Sequence, residues 1–247
     1  MTLAASLRAR AEQLPHLAVP RGCSWRGKLS DIAGLVVHED NHLLALFKPN
    51  GLLSQGDLTR DPCLLSTAKQ YLVHKHNKPG DAYLGLVQRL DRPCSGVMVF
   101  AKTSKAAARL SEAFRERRVV KKYMAVVEGT GIEGRRLVDH LQGHHHLNKT
   151  VIRPDSSTNT VEGVLNYRVL REFGDESKSL LDVSLSTGRK HQIRTQFAHH
   201  GHPIVGDVKY GASGGFIRQH VALHAYLLSF YHPVSSKLVA EINHDKM

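Results

Sequence analysis

The unbroken apolar runs in this chain are short, and that constrains the fold more than any other feature. Leu43-Leu44-Ala45-Leu46-Phe47 is typical, closed on both sides by turn-forming residues. A membrane-spanning helix needs about 20 consecutive apolar residues, so none is expected. Runs of this length between turn signals read as buried strands. Gly34–His38 and His42–Phe47 predict two strands around a turn at Glu39-Asp40-Asn41, and Lys48-Pro49-Asn50-Gly51 ends the second. Cys63–His76 follows with helical spacing, Leu64, Leu65, Ala68 and Leu72 on one face. Tyr83–Val87 and Gly96–Ala101 predict two further strands separated by a loop at Gln88–Ser95. Thr103 is placed to cap a helix running to about Arg117, with Ala106, Ala107, Leu110 and Phe114 inward.

Val119–Glu128 alternates as a strand. Residues 131–160 are polar and predict turns with one short strand, Thr150–Arg153. Val161–Phe173 and Leu180–Ser186 predict a pair of strands, Lys190–His200 a short helix closed by Gly201, and His220–Tyr231 with Lys237–Ile242 a return to strand. Strands and helices mix without strict βαβ alternation. The expected class is therefore α+β, either one large domain or two halves.

Composition narrows the partners. The 247 residues carry 34 Lys and Arg against 22 Asp and Glu, a net charge of +12. With a pI near 9.8, this points to a polyanion, nucleic acid ahead of acidic lipid. Three scattered cysteines, Cys23, Cys63 and Cys94, exclude a disulfide scaffold or a Cys-x-x-Cys site and favour a reducing compartment. Seventeen histidines include His144-His145-His146 and His199-His200-x-His202, but no acid stands near them at ligand spacing, so no metal is expected. Residues 1–30 hold Arg8, Arg10, Arg21, Arg26 and Lys28 against Glu12 alone. They read as an extension or an organelle targeting segment, without the apolar core of a secretory signal.

Three segments carry the residues of a chemistry. In Gln88-Arg89-Leu90-Asp91-Arg92-Pro93-Cys94-Ser95-Gly96 a lone carboxylate, Asp91, occupies a turn between apolar strands, and the flanking Arg89 and Arg92 favour its charged form. Such a group is a nucleophile, a metal ligand or a structural ion-pair partner. In Thr187-Gly188-Arg189-Lys190-His191-Gln192-Ile193-Arg194 a helix start is loaded with cations, suited to phosphate or to a buried carboxylate, with Lys190 and Arg194 expected on one face. From Lys102 to Lys122 eight basic residues meet two acidic ones. They form a phosphate-tracking stripe beside Tyr123, which is available to stack on a base.

Taken together these segments resemble the RluA-type pseudouridine synthases, over most of the chain from about Gly34 to Tyr231. Lys122-Tyr123-Met124-Ala125 anchors the match together with the Gln88–Gly96 and Thr187–Arg194 stretches, Gly201-His202-Pro203-Ile204-Val205-Gly206-Asp207-Val208-Lys209-Tyr210-Gly211 adds a fourth, and Lys48-Pro49-Asn50-Gly51 and Leu223-His224-Ala225 give weaker support. The resemblance implies a mixed, largely antiparallel sheet in two halves with a central basic cleft. It implies Asp91 as catalytic aspartate, Tyr123 as the base-stacking tyrosine and Arg189 as the arginine that pairs with the aspartate, Arg194 in the same motif being the second candidate. Arg89, Arg92, Lys121, Arg194 and Leu223 are expected to bind substrate. Where the family places His before the Arg-Leu-Asp, this chain has Gln88.

The family often carries a small RNA-binding domain at its N-terminus, and residues 1–30 are too short for it. The resemblance thus reads as a short form, an extension at 1–30 and a catalytic domain over 31–247. The expected activity is isomerisation of uridine in structured ribosomal or transfer RNA, without a cofactor, by a monomer in the cytoplasm or in an organelle. The alternative is a non-catalytic RNA-binding or ribosome-assembly factor on the same fold.

Overall fold

The computed structural model describes residues 32–144, 147–154, 158–214 and 220–235, with the backbone of 238–243 in addition. The extension expected at residues 1–30 lies outside the described residues. The chain divides into two compact units, one formed by Tyr123–Leu223 and the other by Cys23–Lys122 with His224–Met247.

The second of these is built on two strands buried along their whole length. β1 (Val36–Glu39) and β2 (Leu43–Lys48) form an antiparallel hairpin. Asp40 fixes its turn by accepting the backbone N–H of His42 at 2.7 Å and of Leu43 at 2.8 Å. β2 pairs with β4 (Ser95–Ala101) from Leu43 opposite Ala101 to Lys48 opposite Gly96. Every residue of both strands is buried, which is why they read as continuous apolar runs rather than as alternation.

The other edge of β4 is shared. β3 (Gly85–Leu86) pairs antiparallel with its end, and β10 (Leu223–Tyr231) pairs parallel with its start. Gly96 permits this approach: at φ +131°, a Cβ there would stand 2.3 Å from the carbonyl oxygen of Ala225. α1 (Leu64–Lys75) is capped by Cys63, and α2 (Ser104–Arg115) by Thr103, whose Oγ1 accepts the N–H of Ala106 at 3.2 Å. Ala106, Leu110 and Ala113 of α2 pack on Leu43, Val97, Val99 and Phe230 in the core of this unit. β11 (Leu238–Asn243) pairs with β10.

In the unit Tyr123–Leu223 the strand order is β5 (Val120–Glu128), β9 (Lys178–Leu185), β8 (Val161–Phe173), β6 (Arg136–His144) and β7 (Lys149–Arg153). β6 pairs antiparallel with both β7 and β8, and β8 with β9. β6 corrects the expectation of turns over 131–160: of its nine residues only Leu137 and Leu141 are buried, four apart, so it shows no alternation in sequence.

α3 (Gln192–His199) corrects a second expectation. It starts two residues later than predicted, after His191 in the left-handed conformation, and six consecutive residues, Gln192–Phe197, are buried. Lys190 therefore precedes the helix and is exposed while Arg194 is buried, so the two do not share a face. The α+β class and the largely antiparallel pairing are as expected.

Candidate active site

The loop between β3 and β4 carries Asp91, partly buried, with Arg89 and Arg92 exposed on either side. It is held by its backbone. The Ser54 hydroxyl donates to the carbonyl of Leu90 at 2.6 Å and accepts the N–H of Leu90 at 3.1 Å. One side chain thus satisfies both backbone groups of the residue before Asp91. On the other side the carbonyl of Arg92 accepts the N–H of Gly51 at 2.8 Å and the Lys48 ammonium at 3.2 Å. Within the loop the N–H of Cys94 closes onto the carbonyl of Asp91 at 3.0 Å. Asp91 is therefore bracketed on both sides by hydrogen bonds to the segment Lys48–Ser54.

Lys48 ends β2 and is fully buried. Its ammonium also donates to the carbonyls of Leu52 at 2.8 Å and Pro49 at 3.0 Å, so its three protons meet three carbonyl acceptors. Burial pushes the Lys48 ammonium down to about 8, and the neighbouring Cys94 and Asp91 resist the fall. Sequence reasoning placed Lys48 in a turn and in a short stretch that supports the family resemblance, gave it no role, and missed Ser54 altogether. Ser54 gives no signal, because its partners are backbone groups 36 positions away.

Of the two cations flanking Asp91, Arg92 is engaged elsewhere. Arg92 places Nη1 2.7 Å from Asp61 and donates Nε to the carbonyl of Gly51 at 3.0 Å. Gln88, which stands where the family has His, reaches the carbonyl of Val97 with Nε2 at 3.4 Å. At the start of β10, His224 shares a 2.8 Å hydrogen bond with the Ser95 hydroxyl.

In the unit Tyr123–Leu223, Tyr123 is buried on β5 and Leu223 is buried at the start of β10; Lys121, on the part of β5 that belongs to the other unit, is partly buried. Arg189 is exposed and donates Nε to the carbonyl of Glu162 at 3.3 Å. Its N–H bonds Oε1 of Gln192 at 3.0 Å, and the same oxygen accepts the Thr187 hydroxyl at 2.8 Å. Arg194, expected on an exposed basic face, is instead buried. Its Nε and Nη2 donate to the two oxygens of Asp207 at 2.6 and 2.8 Å. A paired fork of this kind is rigid, and the guanidinium also stacks on Tyr210, 5.1 Å from the ring centroid. Among the described residues no three His, Cys, Asp or Glu side chains gather in a way that would hold a metal ion. His145 and His146 lie outside those residues. No helix among them is long and apolar enough to cross a membrane.

Residues 42–199 match the family model described as RNA pseudouridylate synthase. A ribosomal large subunit pseudouridine synthase D of Yersinia pestis is 35% identical over 215 residues, covering 81% of this chain and 63% of the relative. That of Xylella fastidiosa is 33% identical over 245 residues, covering 87% and 68%. This chain thus spans roughly two thirds of the length of these relatives. Among solved structures, human RNA pseudouridylate synthase domain containing 4 superimposes with a TM-score of 0.69 at 25% identity, covering 82% of this chain and 86% of that one.

Proposed function

The chain belongs to the RNA pseudouridylate synthase family, and from that premise we propose that it isomerises uridine to pseudouridine in structured RNA, with Asp91 as catalytic carboxylate. The relatives named as acting on the ribosomal large subunit favour ribosomal RNA over transfer RNA as the substrate. A cytoplasmic monomer accords with that substrate, an organelle being the second address.

The bracket around Asp91 is the observation that carries the reading. A structural carboxylate needs only an ion-pair partner, whereas this one sits on a loop whose flanking backbone groups are fixed by Ser54, Gly51 and Lys48. Fixing the backbone on both sides orients a side chain that acts on something outside the protein. The chemistry asked of it is modest. The N1–C1′ bond breaks, the uracil turns, and C5 joins C1′. The C5 proton leaves and N1 gains one, so atoms and electrons balance without an oxidant or a second substrate. An anionic carboxylate serves at the sugar, Tyr123 as a flat surface for the detached base, and exposed Arg89 and Arg92, with Lys121, at the phosphates. Leu223 supplies apolar contact. The base must leave its stack, at a cost of a few kcal/mol that phosphate contacts offset.

Arg189 is the proposed partner of Asp91. Arg194, buried and held on Asp207, is the second candidate. Arg189→Ala and Arg194→Ala separate them: loss of the true partner lowers kcat more than it raises KM, and loss of the other leaves kcat close to wild type.

Tritium release from ribosomal RNA transcribed with 5-tritiated uridine tests the function. The wild type is expected to release tritium, and Asp91→Asn to bind the RNA with unchanged affinity and release none. Release by the variant within ~10-fold of wild type, about 1.4 kcal/mol in barrier, overturns the role of Asp91. Binding without release by the wild type points to the non-catalytic RNA-binding reading.

A further inference from the structure

A second polar arrangement, in the unit Tyr123–Leu223, is centred on Tyr210. Three segments meet at Tyr210. Its phenol oxygen accepts the backbone N–H of Thr150 at 2.9 Å and lies 2.7 Å from Nδ1 of His191. The Thr150 hydroxyl donates to the carbonyl of Lys190 at 2.9 Å. The start of β7, the turn before α3 and the single-turn helix Val208–Tyr210 are therefore tied together. His191 is held at φ 53°, a left-handed conformation that is costly for a non-glycine residue. The hydrogen bond to Tyr210 helps to offset that cost.

Each of the three segments presents one lysine beside this junction. Lys149 stands with Nζ 5.8 Å from the Tyr210 ring centroid. Lys190 donates to Oδ1 of Asn148. Lys209 adjoins Tyr210 in the chain, and burial, then the charges of Arg194, Lys190 and Lys149, lower its pKa, against the opposing pull of Asp207. Lys209 thus lies within electrostatic reach of both Lys149 and Lys190. Among the described residues no carboxylate lies within ion-pair distance of any of them. Asp207 is already bound to Arg194. A fold gains nothing by gathering like charges on a tied framework, and an arriving anion reverses the balance.

We propose that Lys149, Lys190 and Lys209 form an anion site that takes the phosphodiester backbone of the RNA substrate. The proposal rests on the reading of this protein as one that acts on RNA. Lysine is a flexible point charge suited to tracking a backbone, and it lacks the planar fork that reads a base edge. The site therefore adds affinity and salt dependence without sequence preference.

The test uses the whole chain and Lys149→Gln/Lys190→Gln/Lys209→Gln, which shortens each side chain by one atom, keeps hydrogen bonding and removes charge. Affinity for a fluorescein-labelled 20-nucleotide oligouridylate is measured between 50 and 300 mM salt. Each lost phosphate contact to a single strand flattens the slope of log affinity against log salt by about 0.7, so a fall of about 2 is expected. Tritium release should show a raised KM and a kcat within 2-fold of wild type. Lys190→Gln alone alters an exposed side chain and is expected to lower the slope by about 0.7, which keeps the test decisive if the triple variant folds poorly. An unchanged slope overturns the proposal, as does a wild type that fails to bind the oligonucleotide. Isothermal titration with inorganic phosphate separates the remaining source: phosphate binding lost in the variant with the RNA slope intact would assign the site to a free anion and overturn it too. Absence of tritium release by the wild type bears on the isomerase reading alone, because the salt slope is read from binding.

Discussion

Ser54 satisfies two buried backbone groups with one hydroxyl, and no other side chain of its size does both. Alanine there leaves the N–H and carbonyl of Leu90 unpartnered, at about 1–3 kcal/mol. If the bracket orients Asp91, Ser54→Ala lowers kcat by roughly 10–100-fold, on the order of 1.4–3 kcal/mol in barrier, and leaves KM nearly unchanged. Ser54→Thr, which restores the hydroxyl, should recover part of kcat. A variant that loses thermal stability but keeps kcat within 2-fold would reduce Ser54 to a structural residue. Asp91 was legible in the sequence because the turn around it is local and its motif long. Lys48 was half legible: a lysine ending an apolar strand reads as exposed, and only the three carbonyls around it account for its complete burial. Arg194 misled for the same reason, since its partner Asp207 lies 13 residues on.

Glu39, at the end of β1, joins elements that adjacency in sequence does not. Its carboxylate accepts Lys75 at 2.8 Å, His76 at 3.0 Å and Tyr71 at 3.2 Å from α1 and its C-cap, and Lys102 at 2.9 Å from the end of β4. Burial alone would raise its pKa. The hydrogen bonds from Lys75, Lys102 and His76 outweigh it and bring the carboxyl down to about 2. A carboxyl whose pKa is lower in the folded state stabilises the fold above its unfolded value of about 4.5, and that contribution disappears as pH falls towards 2. Lys75 and His76 are two-fifths exposed or more, so solvent screening discounts the full shift. Glu39→Gln is expected to lose about 2 kcal/mol at pH 7 and almost nothing near pH 2, read from urea unfolding at both. A difference of the same size at both pH values would place the cost in packing instead. Elements were legible in proportion to their apolar content: β8 was predicted to the residue, whereas β6, with two buried leucines among polar neighbours, was not. In α3 the amphipathic reading failed because Gln192, Arg194 and Gln196 are buried. Gln192 and Gln196 bond each other, and Gln196 also reaches Asp139, a remote partner invisible to periodicity.

For the whole molecule, a net charge of +12 implies a polyanionic partner without saying which cations touch it. The basic stripe ahead of Tyr123 supplies a test, because its geometry separates stability from binding. α2 ends with the N–H of Arg118 on the carbonyl of Ala113 at 2.9 Å and the N–H of Arg117 on that of Phe114 at 3.2 Å. This double closure usually places glycine where Arg117 stands at φ 58°. Arginine costs about 1 kcal/mol there, so a charge is carried at a position where the fold would be better served by none. Arg117→Gly should therefore stabilise the protein, raising the thermal midpoint by about 2–4 °C, while weakening RNA binding. The exposed pair between Arg118 and Glu116 at 2.6 Å contributes little to the fold, which leaves Arg118 available to a phosphate. With Arg118→Ala and Lys121→Ala added, the salt slope should fall by about 2, equally for target and unrelated RNA, and kcat at saturating RNA should hold within 2-fold. Stabilisation by Arg117→Gly with an unchanged salt slope in the triple variant would make the stripe a solvated face, and the phosphate contacts would then have to come from elsewhere on the molecule.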